Sequence, residues 1–240
     1  MAKPASCGIS ARLTPPRKSS PLRPESREAV LLRKLPIVAV LGQGAQIPAD
    51  RAALARATGA MVARLGAHLL TGAGYGVMEA AAQGFVAVAE RVGLSIGIVP
   101  REPEGPLDQP NHDLDGRLYP NPLVEIAIYT PLPPRAEDWQ STPSRNHVNI
   151  FTADAFIALP GNAGTKNELD MAAFYRDEAA KSRQERRTVL LGPAQEFTPA
   201  HRQRFVHVEN LADAEQHLRR VLTGRGYTLA RGTRHERVAG

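Results

Sequence analysis

This 240-residue chain predicts a doubly wound α/β fold, a parallel sheet with helices on both faces. Three observations carry the prediction. Short, continuously apolar runs alternate with helical stretches, the runs end in Gly-rich turns, and the pattern holds from Pro36 to residue 223. Ligands in such sheets bind at the carboxyl ends of the strands, where these turns fall.

Ile37-Val38-Ala39-Val40-Leu41 reads as a buried parallel strand ending in Gly42-Gln43-Gly44. A helix over 49–65 sets Leu54, Ala57, Met61, Val62 and Leu65 on one face, and Gly66 closes it. His68–Thr71 is a second strand, cut by Gly72-Ala73-Gly74-Tyr75-Gly76. A second helix runs from Val77 to about Arg91, with Gly93 as its stop, and Leu94–Val99 is a third strand. Residues 101–122 have no periodic pattern and read as a long loop, a feature usually functional or disordered.

Leu123–Tyr129 is a fourth strand, followed by an irregular segment, 130–143, with Pro131, Pro133, Pro134, Pro143 and the single tryptophan, Trp139. Both irregular segments are expected to line or cover the site. Ser144 N-caps a helix through Thr152. Ala155–Leu159 is a fifth strand, and a helix follows its terminal turn to about Lys181. Strands at 188–191 and 205–208 and an amphipathic helix over 211–223 complete the pattern.

Composition narrows the function classes. No window of eighteen apolar residues exists, so no spanning helix is expected, and one cysteine, Cys7, excludes an internal disulfide framework or a multi-cysteine metal cluster. The net charge of +6 is unevenly placed: residues 1–34 carry +6, residues 224–240 carry +3, and the body between them carries −3. A mildly acidic body between basic tails lacks the basic face that duplex binding requires, so no nucleic-acid partner is expected. Residues 1–34, with prolines at 4, 15, 16, 21 and 24 and no apolar h-region, read as a disordered extension, and 224–240 as a basic tail. The domain is thus expected over 35–223, in a cytoplasmic protein.

Three turns bear on chemistry. Gly42-Gln43-Gly44 is not a dinucleotide fingerprint, because Ile47 occupies the last glycine position and no ribose-binding acid closes the motif. Thr71-Gly72-Ala73-Gly74-Tyr75-Gly76-Val77-Met78 places glycines at alternate positions before a helix, so a ligand can approach the backbone, although a tight turn without a ligand has the same pattern. Pro160-Gly161-Asn162-Ala163-Gly164-Thr165 opens a helix whose amides and Thr165 hydroxyl can hold a phosphate. Glu168, one turn on, is within reach of a sugar on that phosphate; an acid favoured by the helix dipole is the alternative. Trp139 and Tyr129 are either base-stacking or packing aromatics. His147 reads as structural, His112 is undetermined, and Asp170 and Arg176 are placed on a solvated helix face or a subunit interface.

The segment Ser144-Arg145-Asn146 followed by Ala153-Asp154-Ala155-Phe156-Ile157-Ala158-Leu159-Pro160-Gly161-Asn162-Ala163-Gly164-Thr165-Lys166-Asn167-Glu168-Leu169 resembles the LOG family of cytokinin-riboside 5′-monophosphate phosphoribohydrolases. The Gly72–Met78 turn is similar to that family's first glycine-rich turn. The resemblance implies a Rossmann-like fold, a homodimer or larger homo-oligomer, and hydrolysis of a nucleoside 5′-monophosphate to free base and ribose 5-phosphate without metal or cofactor. It assigns Arg145 and Glu168 as catalytic residues. Gly42, Gly44, Gly72, Gly74, Gly76, Met78, Pro160, Gly161, Asn162, Gly164 and Thr165 would bind the nucleotide. Asn162 stands where the family usually has a second glycine and Asn146 where many members have lysine. With the 121–130 strand, these departures are similar to a sister branch that includes molybdenum-cofactor carriers, so a non-catalytic binding or carrier role is the alternative.

Overall fold

The computed structural model describes residues 34–100, 111–113 and 115–230. Seven strands form one parallel sheet: β1 (Ile37–Leu41), β2 (His68–Thr71), β3 (Ser95–Pro100), β6 (Ile126–Thr130), β7 (Ala155–Ala158), β8 (Thr188–Leu191) and β9 (Val206–Val208), in the order β6-β3-β2-β1-β7-β8-β9. The helices are α1 (Ala49–Arg64), α2 (Val77–Val86), α3 (Arg145–Thr152), α4 (Ala163–Tyr175), α5 (Pro199–Arg204) and α6 (Leu211–Gly224).

Alternation along the central strands builds two cores. Val38 and Val40 of β1, with Ala155 and Ile157 of β7, pack beside Met61, Val62, Phe85, Leu218 and Leu222 of α1, α2 and α6. Ala39 and Leu41, with Phe156 and Ala158, face the opposite way, against Ile150 of α3 and Leu169, Met171 and Ala172 of α4. Both faces are covered, which explains why the strands read as unbroken apolar runs. On the first face, α1 and α2 approach so closely that a Cβ on Gly59 would strike the Ala81 carbonyl, and one on Gly84 the Arg56 carbonyl.

The chain winds outward from β1 through β2 and β3 to β6, crosses back to β7 beside β1, and winds outward again. The three Gly-rich turns therefore follow β2, β1 and β7, three adjacent strands that straddle the switch point of the sheet.

Three element boundaries and one additional helix differ from the sequence expectation. The second helix stops at Val86 rather than near Arg91, because the chain descends past Ala67 at Gly93 to enter β3. The helix after the third turn stops at Tyr175 rather than Lys181. Asp177 turns inward there, its carboxylate accepting from the Arg187 amide (2.7 Å) and the Thr188 hydroxyl (2.8 Å). The fourth strand starts at Ile126 rather than Leu123, because Leu123 and Val124 wrap around Asn121. Finally, α5 was not expected, although Thr198-Pro199 is a capping residue followed by proline at the first helical position. Within the 101–122 loop, Asn111–His112 (β4) and Leu118–Tyr119 (β5) form an antiparallel pair. Residues 1–33, with Cys7, 101–110 and 231–240 lie outside the described residues, whereas 224–230 of the expected basic tail are described: Tyr227 and Leu229 pack against the first core and the Ala230 amide donates to the Leu65 carbonyl (3.0 Å).

Candidate functional site

The turn after β2 is held in shape by its neighbours. Ala73 adopts a left-handed backbone (φ 63°) and Gly76, before α2, has φ 68°. The turn's carbonyls are captured from the 111–122 segment. Tyr119 donates its hydroxyl to the Gly72 carbonyl (2.7 Å), and the Asn121 amide group donates to the carbonyls of Ala73 (3.0 Å) and Gly74 (2.7 Å). Asn121 is 1% exposed. The β4–β5 pair is fastened to the same turn, because the Tyr75 hydroxyl donates to the Leu118 carbonyl (2.8 Å) and the Arg117 guanidinium lies 3.9 Å from the Tyr75 ring centre. Met78 packs between Gly44 and Gly74, while Val77 fills the space beside Gly42, so the first two turns form one surface.

Arg145 is the first residue of α3, and its backbone amide donates to the Pro133 carbonyl (2.8 Å). Its guanidinium lies directly on Gly72, in space that any side chain at that position would occupy. Gly72 is thus required by close approach to Arg145. The buried Arg145 Nε has no hydrogen-bond partner among the described residues.

Glu168 lies in the second turn of α4 and is 8% exposed. The Asn149 amide donates to its Oε1 at 3.3 Å, while the Asn149 carbonyl oxygen has no partner among the described residues. Burial pushes the Glu168 carboxyl above the ordinary carboxylate range, against the opposing pull of Arg145 and the Asn149 hydrogen bond. No hydrogen bond joins Arg145 to Glu168, so their charges face each other as separate groups that a ligand can bridge. Tyr119 is likewise raised by burial, with Arg145 opposing.

The third turn is tighter than its glycines suggest. Pro160 is buried, and Gly161 lies against the Thr165 side chain. Asn162 is the N-cap of α4, its side-chain oxygen accepting from the Gly164 amide (3.1 Å), which engages one of the free amides of that helix end. Asn162 therefore stands in for a second glycine as a capping residue. The Thr165 hydroxyl is buried without a partner among the described residues.

The structure brings Arg145, Gly72, Asn149 and Glu168 into one neighbourhood at the carboxyl ends of the central strands, with the Pro160–Thr165 turn at the start of the helix that carries Glu168. Tyr119, Asn121 and Asn149 were missed as site residues. Asn121-Pro122 carried a turn signal, but nothing local marks Tyr119 or Asn149. The expectation for the loops is met in part. Residues 111–122 border the site, whereas 130–143 anchors helices: the Pro133 carbonyl accepts from Arg145, the Ala136 carbonyl from Asn167 (3.4 Å), and the Trp139 carbonyl lies 2.8 Å from His147 Nε2.

Trp139 packs edge-on against Phe174 and Tyr175, each 5.8 Å between ring centres, and so serves as a packing anchor. His147 is structural as expected, its Nδ1 closing a capping box with Ser144. Asp170, half exposed, lies 3.0 Å from His201 Nε2, and Arg176 donates to the Ala153 carbonyl (2.8 Å). Among the described residues, no cluster of His, Cys, Asp and Glu is arranged to hold a metal ion. No helix among them is long and apolar enough to cross a membrane.

Solved structures with the same fold include the Moco carrier protein from Chlamydomonas reinhardtii, 24% identical with a TM-score of 0.57 over 80% of this chain and 99% of that one. The molybdenum cofactor binding protein from Rippkaea orientalis is 25% identical, with a TM-score of 0.54 over 80% and 98%. DNA processing protein A from Helicobacter pylori shares the fold at 14% identity and a TM-score of 0.52 over 77% and 80%. No curated protein matches the chain by sequence. The family model of the SLOG cluster4 family matches residues 35–205, six of the seven strands of the sheet and both catalytic candidates included, and the chain belongs to that family.

Proposed function

We propose that this site binds a nucleoside 5′-monophosphate and hydrolyses its N-glycosidic bond, releasing the base and ribose 5-phosphate. One observation carries the reading: a buried carboxyl, Glu168, sits one helical turn beyond the Pro160–Thr165 turn, within the electrostatic influence of an arginine laid over Gly72 but not hydrogen-bonded to it. A buried carboxyl raised above its ordinary range costs the fold stability at neutral pH, and groups perturbed in this way cluster at functional sites. Here it can protonate a departing base or hold the ribose hydroxyls as positive charge grows on the sugar. Arg145, with its planar fork, can neutralise the phosphate. Water adds to the sugar carbon as the bond to the base breaks, and the base leaves with a proton. A homodimer belongs to this reading, because Phe151 of α3 and Phe174 of α4, both packed on Tyr175, are 52% and 46% exposed and form an apolar patch on these two helices.

A second reading, binding without cleavage as in a cofactor carrier, has its own support. Asn162 engages one α4 amide with the chain's own side chain, and the Rippkaea orientalis protein is a cofactor binder at 25% identity. Incubating the purified chain with a panel of nucleoside 5′-monophosphates and quantifying free base by chromatography separates the two. Base release that disappears in Glu168→Gln supports hydrolysis. Absence of release, together with a pterin or nucleotide retained through purification, supports the carrier.

A further inference from the structure

The amino-terminal edge of the sheet, opposite the Gly-rich turns, carries a cavity of about 570 Å³, within the size range of small-molecule pockets. Four arginines line it. Arg176 follows α4, Arg187 precedes β8, Arg220 lies in the last turns of α6, and Arg225 caps that helix. Ser182 and Gln184 add polar side chains to the same wall.

The nearby carboxylates each accept from a backbone amide: Asp154 from Ile37 (3.0 Å), Asp177 from Arg187 (2.7 Å), and Glu185, which lines the cavity, from Lys181 (3.0 Å). The guanidinium groups, by contrast, are under-used. Arg176 donates to the Ala153 carbonyl, Arg220 lies 3.1 Å from His217 Nδ1, and Arg225 reaches Asp154 at 3.5 Å. The Arg187 guanidinium makes no hydrogen bond among the described residues, and the buried Nε of Arg176 has no partner there. Each guanidinium offers about five N–H donors, so most of those facing this cavity are not used within the fold.

Helix C-termini favour a cation, yet two helix ends do not call for four guanidinium groups around one cavity. Burial and the repulsion among Arg176, Arg187 and Arg225 weaken the proton affinity of Arg176 and Arg187, outweighing the opposing pull of Asp154 and Asp177. Converging, half-buried cations with free planar forks match a multivalent oxyanion.

We propose that this cavity is a second ligand site, independent of the carboxyl-edge site, that takes a small phosphate-bearing anion of the pyrophosphate class. Arg187 and Arg225 are its principal contacts and Arg176 its rear wall. Helix α4 runs from one site to the other, with Asn162 and Glu168 at one end and Arg176 at its C-cap.

Pyrophosphate is the probe, titrated calorimetrically into the full chain at about 0.15 M salt so that diffuse attraction is screened. Binding is expected in the wild type and weakened about tenfold or more in Arg187→Gln/Arg225→Gln, the loss that goes with removing charge-assisted hydrogen bonds. No binding to the wild type, or unchanged affinity in the double variant, overturns the proposal; the latter assigns the anion to the basic termini or the carboxyl edge. Phenylglyoxal modification of the wild type, mapped by peptide mass spectrometry, avoids dependence on variant folding. Pyrophosphate should shield Arg187 and Arg225, and equal modification with and without it also overturns the site.

Discussion

The turn after β2 and the turn after β7 are both rich in glycine and both open a helix, but they differ in what holds them. In the Thr71–Gly76 turn, three carbonyls in succession accept hydrogen bonds from Tyr119 and Asn121, and a guanidinium occupies the space over Gly72. The Pro160–Thr165 turn has one internal side-chain bond to its backbone, from Asn162 to Gly164, and keeps a buried, unpartnered Thr165 hydroxyl. The first is a frame that positions Arg145. The second is held mainly by its own residues and leaves a buried hydroxyl unpartnered among the described residues.

The largest test of this contrast is Gly72→Ala. A methyl there displaces the tip of Arg145, which is flexible, so stability should change modestly. A displacement of about 1 Å at a positioned catalytic group lowers turnover on the order of 100-fold. Base-release rates measured beside a thermal melt check both halves; full activity would show that Arg145 need not rest on Gly72.

Asn121→Ala should be the larger blow to stability. It leaves the Gly74 carbonyl without its donor in a buried site, with a loss of about 2 kcal/mol. Chemical denaturation measures it, and a loss near zero would remove Asn121 from the frame.

Glu168→Gln tests the other side of the comparison through pH. A carboxyl whose folded pKa lies above its unfolded value stabilises the protein below the ordinary carboxylate pKa, and that contribution fades as pH rises through the raised value. Glutamine does not titrate, and its oxygen can still accept from Asn149. The variant should therefore gain thermal stability over the wild type as pH rises from about 4 to about 8, with the two converging at the acidic end. A difference that shrinks with rising pH would show that Arg145 outweighs burial at this carboxyl.

The smallest effect is expected of Asn162→Gly. Glycine is nearly as good an N-cap as asparagine, so stability should fall by only a few tenths of a kcal/mol, about the usual margin between these caps. The freed Gly164 amide should tighten binding of inorganic phosphate, measured by titration. Weaker binding would make Asn162 a ligand contact rather than a cap.

Much of this was legible in the chain itself. Period and turn chemistry marked all seven parallel strands; the central ones are continuously apolar because both their faces are buried, whereas β6, at the sheet edge, is apolar with Ile126, Ile128 and Tyr129 exposed. Ser144 as an N-cap and the helix carrying Glu168 were readable for the same local reason. The misplaced ends of α2, α4 and β6 share one cause: Gly93 against Ala67, Asp177 with Arg187 and Thr188, and Asn121 with Ala73 and Gly74 make contacts outside their own element, and those contacts override local propensity.

The sequence by itself determined the fold class, the positions of the glycine turns and the residue types able to handle a phosphorylated sugar. Only the tertiary structure decided that Gly72 and Arg145, 73 positions apart, share one space, that Tyr119 and Asn121 frame the site, and that four arginines meet at the opposite edge. Backbone preference is local and is written in neighbouring residues. Desolvation, close approach and like-charge crowding depend on which distant segments the sheet order brings together, and no stretch of sequence carries that information alone.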